Sequence, residues 1–106
     1  MLLEFGFATK GLRRTCEQGA WARKELGPDA ASALQRRLAD LEAVDAITEL
    51  PWITVEFGAH DDAAIEFHPG YWLTIMAIRG AADMGKNQSV DWSTVDRIKL
   101  MDIRQP

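Results

Sequence analysis

Ala64-Ile-Glu-Phe-His-Pro-Gly-Tyr-Trp-Leu-Thr-Ile-Met-Ala-Ile-Arg79 is the longest hydrophobic, β-forming run of the chain, and a His68-Pro69-Gly70 turn signal divides it into two arms. Aromatic and β-branched residues on both sides of a Pro-Gly pair predict a β-hairpin. Ile65 and Phe67 share one face of the first arm, and Tyr71, Leu73 and Ile75 share one face of the second. Trp72, Thr74, Met76 and Ile78 point the other way, so the second arm is apolar on both faces and is expected inside a sheet rather than at its edge.

Outward from the hairpin, Trp52 to Phe57 has strand composition and Gly58 to Asp62 reads as the turn between them. Gly80 to Ser89 lacks periodicity and reads as a loop, and Arg97 to Arg104 forms a last strand with Ile98 and Leu100 on one face and Met101 and Ile103 straddling the register. Upstream, Leu3, Phe5 and Phe7 alternate along a short first strand. Thr9 suits the cap of a helix over Gly11 to Leu26, in which Leu12, Cys16 and Ala20 recur at intervals of four. Gly27-Pro28 then opens a second helix, whose stripe of Ala31, Leu34, Leu38 and Leu41, with Ala30, Ala33 and Val44 beside it, is the strongest periodic signal in the sequence. The predicted order is β-α-α-β-β-β-β, an α+β domain over residues 1–106 with two N-terminal helices packed on one face of a mainly antiparallel sheet.

Composition narrows the function. A chain of 106 residues, 47% hydrophobic, suits a single domain. The lone Cys16 excludes an internal disulfide framework and is compatible with a reducing cytoplasm. Glu4 stands where a signal peptide would be basic, and the longest uncharged apolar stretch, Phe67 to Ile78, is broken by Pro69-Gly70, so no membrane span is expected. The net charge of −4 is unevenly spread. Residues 38–78 contain eight Asp/Glu and no Lys/Arg, so cations for a nucleic-acid surface must come from the N-terminal helices and the C-terminal strand. Those cations are Lys10, Arg13, Arg14, Arg97, Lys99 and Arg104. His60 and His68, the only histidines, flank strands and can divide acid and base work, although turn histidines are commoner than catalytic ones. His60-Asp61-Asp62 matches no metal-site spacing, and no cofactor-binding fingerprint is present.

The basic opening Lys10-Gly11-Leu12-Arg13-Arg14, the helix Leu34-Gln35-Arg36-Arg37-Leu38-Ala39-Asp40-Leu41, Leu50-Pro51, and the closing Asp91-Trp92-Ser93-Thr94-Val95 and Ile98-Lys99-Leu100-Met101-Asp102-Ile103 occur in an order that resembles the RelE/HigB superfamily of toxins from toxin–antitoxin pairs, nearest its HigB-like plasmid-maintenance group. The resemblance implies a RelE-like fold, cytoplasmic action, a helix-turn-helix antitoxin as partner, and metal-independent cleavage of messenger RNA on the ribosome. In such chemistry a 2′-hydroxyl attacks the neighbouring phosphate while Lys, Arg, His or Tyr side chains move protons and stabilise charge. On this chain His60, His68, Tyr71 and Arg79 are the candidates for that work.

The sequence departs from the family pattern at the chemistry. Phe57-Gly58-Ala59-His60-Asp61-Asp62 carries acids where the family has a cationic turn, Trp72 stands where an arginine is usual, and the terminal Tyr-His falls at or beyond Pro106. Two function classes follow: a toxin-like messenger RNA endoribonuclease, or a non-catalytic protein-interaction module on the same scaffold, such as an antitoxin partner or a ParE-like inhibitor of another target.

Overall fold

A computed structural model describes residues 3–50, 55–58, 61–78, 92 and 95–106. Among the described residues the fold is α+β, with three α-helices and a five-stranded mixed sheet. Strand β1 (Glu4–Phe7) leads into helices α1 (Lys10–Glu17), α2 (Gly19–Leu26) and α3 (Pro28–Ala43), then a 3-10 turn at Ile47–Glu49. Strands β2 (Val55–Phe57), β3 (Asp62–His68), β4 (Tyr71–Ala77) and β5 (Arg97–Arg104) complete the chain. The sheet order is β1-β5-β4-β3-β2, in which β1 runs parallel to β5 and every other neighbour is antiparallel.

The helical segment departs from expectation in one respect. The single helix predicted over Gly11 to Leu26 is two helices, because Gln18 adopts extended backbone (φ −113°, ψ 105°) ahead of Gly19, a poor helix former. The break resets which residues face inward. Leu12, Thr15 and Cys16 are buried on α1 and Ala22 and Leu26 on α2, while Ala20 is exposed. The Gln35 side chain of α3 donates to the Cys16 carbonyl at 3.0 Å, satisfying an acceptor that a helix end would otherwise leave orphaned. Thr9 caps α1 as expected, its hydroxyl accepting from the Leu12 N–H at 3.1 Å. Gly27 ends α2 at φ 88°, and Pro28 opens α3.

One hydrophobic core joins the layers. The α3 stripe of Ala30, Ala33, Leu34, Leu38 and Leu41 meets Ile65, Leu73, Ile75, Ile98 and Leu100 from the sheet. Truncating one fully buried member, such as Leu34, typically costs about 2–5 kcal/mol. β4 is internal, as its two apolar faces predicted, lying between β3 and β5. At the hairpin turn Gly70 has φ 82°, the conformation that the second central residue of a type II turn demands. Such a turn mismatches strand twist, and the pairing shifts register between Glu66 and His68 next to it.

A second register shift decides what β5 displays. Ile75 pairs with Leu100 and Thr74 with Asp102, so Met101 is an extra, bulged residue. This resolves the straddling pattern of the sequence: Ile103 pairs with Leu73 and packs against the core, and Arg104 pairs with Trp72 on the opposite face.

Candidate functional site

Two surfaces offer concavity and charge. The first is the sheet face opposite the helices. Alternation along β5, with its bulge, brings Arg97, Lys99 and Arg104 to this face, all exposed. Had β5 paired without the bulge, Arg104 would point into the core. Arg97 is engaged by Glu4 of β1 at 3.2 Å, whereas Lys99 and Arg104 make no ion pair among the described residues. Trp72, half-buried, lies between Arg104 on β5 and Glu66 on β3. Toward β2 the face sinks into a cup of about 730 Å³ bordered by Ala64, Thr74, Met76 and Met101, with Glu56, Asp62 and Arg104 at its rim, whereas Phe57 pairs with Ala63 and its ring lies 5.7 Å from that of Trp92 on the helix side.

The second surface is a groove of about 880 Å³ along β1, between α1 and α3. Phe5, Phe7 and Leu38 line it with Lys10, Arg13 and Glu42. Arg13 is already paired with Glu17 at 3.0 Å. Cys16 also borders the groove, but burial, and secondarily the charge of Glu17, pushes its thiol from 9.0 up to about 12, so it is not an activated nucleophile.

The residues singled out from sequence therefore fall into separate places. Arg97, Lys99 and Arg104 share the sheet face. Lys10 and Arg13 border the β1 groove. Arg14 lies over the Trp21 ring at 4.8 Å, where Lys24 also approaches at 5.3 Å, so it is held in a cation–π contact. His68 and Tyr71 are paired across the hairpin end with ring centroids 5.5 Å apart, and Tyr71 also packs on Phe67 at 5.9 Å, against the core. Strand alternation puts Tyr71 on the helix side, away from the β5 cations. His60 and Arg79 lie outside the described residues, as do Trp52 and the expected loop from Gly80 to Ser89.

Sequence reasoning passed over Met76, Met101, Glu56 and Asp62, which shape the cup. The acidic stretch carried a signal for two of them, but Met101 joins only through the bulge. Gly58 matters here for a steric reason: a Cβ at this position would overlap the Asp62 carboxylate, which closes down over it at the rim. Among the described residues, no group of three or more His, Cys, Asp or Glu side chains is arranged to hold a metal ion, and no helix is long and apolar enough to cross a membrane. In comparisons with known proteins, no family model, no curated protein and no solved structure matches the chain.

Proposed function

We propose that this chain is the toxin of a toxin–antitoxin pair on a RelE/HigB-like scaffold, partnered by a helix-turn-helix antitoxin, and that it engages messenger RNA through the sheet face opposite its helices. The observation that carries this reading is the β5 bulge, which aligns Arg97, Lys99 and Arg104 on that face beside the Trp72 ring. Cations spaced along a strand suit a phosphate backbone, and an indole beside them suits base stacking. Three phosphate contacts make a weak electrostatic anchor, which is the reason to expect binding on the ribosome, where RNA is already held, rather than to free transcripts.

A second reading, a non-catalytic interaction module, is favoured by a different observation. His68 and Tyr71 sit together at the hairpin end, with Tyr71 turned toward the core, so they do not address the cation row. Induction in a bacterial host separates the two. The nuclease reading expects growth arrest and new messenger RNA ends, both lost in Lys99→Glu/Arg104→Glu. Growth arrest with intact transcripts supports the interaction module, and unimpaired growth of hosts expressing folded protein sinks the toxin reading.

A further inference from the structure

We propose that the free edge of β1 pairs antiparallel with the same edge of a second copy of this chain, about a two-fold axis at Gly6. This goes beyond the RNA reading and does not depend on it, since the sheet face opposite the helices stays open on both copies.

The first observation is where the backbone of β1 is unpaired. The Glu4 and Ala8 N–H groups donate to the Asp96 and Leu100 carbonyls at 2.9 Å, so alternate residues turn toward β5, and Phe5 and Phe7 turn their N–H and C=O groups to the other side. On that side the Leu3 N–H is taken by the Val44 carbonyl at 2.8 Å, whereas the backbone groups of Phe5 and Phe7 have no partner among the described residues. An edge in this state is a template for another strand, and β1 has neither a Pro nor a bulge to turn it away.

The second observation is symmetry. Phe5-Gly6-Phe7 reads the same in both directions. Two copies laid antiparallel with Gly6 opposite Gly6 put Phe5 opposite Phe7 at both hydrogen-bonded positions, so the N–H and C=O groups of both residues are satisfied on each copy. Gly6 takes the non-hydrogen-bonded position, where facing Cα atoms approach to about 4.5 Å. The half-buried rings of Phe5 and Phe7, 6.1 Å apart, line the helix-side groove of about 880 Å³. An axis normal to the sheet keeps both grooves on one side, and Phe5 of each copy then packs against Phe7 of the other.

The third observation is charge. Lys10, in the first turn of α1, stands at the Phe7 end of the groove, and Glu42, two residues before Val44, at the Leu3 end. Both are exposed and make no ion pair among the described residues, whereas Arg13 and Glu17 between them are already paired with each other. Antiparallel pairing reverses the second copy, so Glu42 of each meets Lys10 of the other at both ends. A uniformly basic or uniformly acidic strand would leave one end with like charges.

The test uses the full-length chain. Sedimentation should show monomer passing to dimer, and no further, as concentration rises from micromolar to millimolar. Over that range the Phe5 and Phe7 amides should gain protection from hydrogen exchange, while the Gly6 amide, which faces β5, should not. Lys10→Glu and Glu42→Lys, both exposed and each placed favourably for its helix dipole, should each weaken dimerisation at least fivefold at low salt. Mixing the two variants should restore it, because each end of the mixed pair again sets an acid against a base. A monomer at every concentration, a dimer whose Phe5 and Phe7 amides stay unprotected, or variants that fail to complement on mixing would each overturn the proposal. Protection of those amides by an added synthetic strand, in a chain that stays monomeric, would assign the edge to a different protein and overturn it as well.

Discussion

At the scale of single residues, Cys16 shows how burial removes chemistry that composition alone leaves open. The residue is 4% exposed in the hydrophobic core, and loss of hydration holds the proton on sulfur up to about 12. The unfolded chain releases that proton near 9.0, so the folded state binds it more tightly. The contribution to stability is therefore complete below pH 9 and is lost progressively as pH rises from 9 toward 12. Wild-type protein should lose more stability than Cys16→Ala between pH 8 and pH 10.5 in urea titrations, since other titrating groups are common to both. A disulfide-exchange reagent at pH 8 should leave the native thiol unmodified and react once the chain unfolds. Rapid labelling of folded protein would contradict the assignment. Cys16 as packing was legible in the sequence from its place on the Leu12 stripe. The fate of Arg14, held over Trp21, was not, because residues seven apart in sequence meet here only after the break at Gln18.

At the scale of elements, period and punctuation gave most of the fold because they record local physics. Gly27-Pro28 is a helix end followed by a helix start in any context, and the α3 stripe is the side that the sheet covers. The break within the first helical segment escaped because Ala20 continues the four-residue spacing, although Gly19, a poor helix former, stands where the backbone leaves the helix at Gln18. β5 is the sharper case. Its residues 97–104 were delimited by composition, yet the face each side chain takes past Leu100 depends on a bulge set by pairing with β4. Deleting Met101 should keep Ile103 inward and Arg104 outward, because it removes the extra residue and leaves a regular ladder. Deleting Lys99 makes Ile98 and Leu100 neighbours, and two adjacent strand residues cannot both face the core. The first deletion should retain cooperative urea unfolding and the second should lose it. Unfolding behaviour that is the same for both would show that the bulge does not set the register.

At the scale of the molecule, the same strand holds sheet and site together. β5 is the neighbour of both β1 and β4, so the N-terminal strand joins the sheet only through the C-terminal one. Ile98 and Leu100 are fully buried, and the Glu4 and Ala8 N–H groups find their acceptors at Asp96 and Leu100. A chain ending at residue 96 keeps all three helices and the β2–β4 meander, and local propensity alone would credit it with most of the structure. It nevertheless uncovers one edge of β4, strands β1 away from any sheet, and exposes the core residues that β5 covers. Burial of Ile98 and Leu100 is worth about 1.5–3 kcal/mol each, a large share of the roughly 5–15 kcal/mol that holds a domain folded. The truncated chain should show no cooperative thermal or urea transition by circular dichroism, whereas Arg97→Ala/Lys99→Ala, which removes exposed charge from the same strand, should unfold within about 1 kcal/mol of wild type. A sharp transition in the truncated chain would mean that α3 and the meander form a folding unit on their own, and that β5 is an addition serving the exposed face rather than the strand on which the sheet closes.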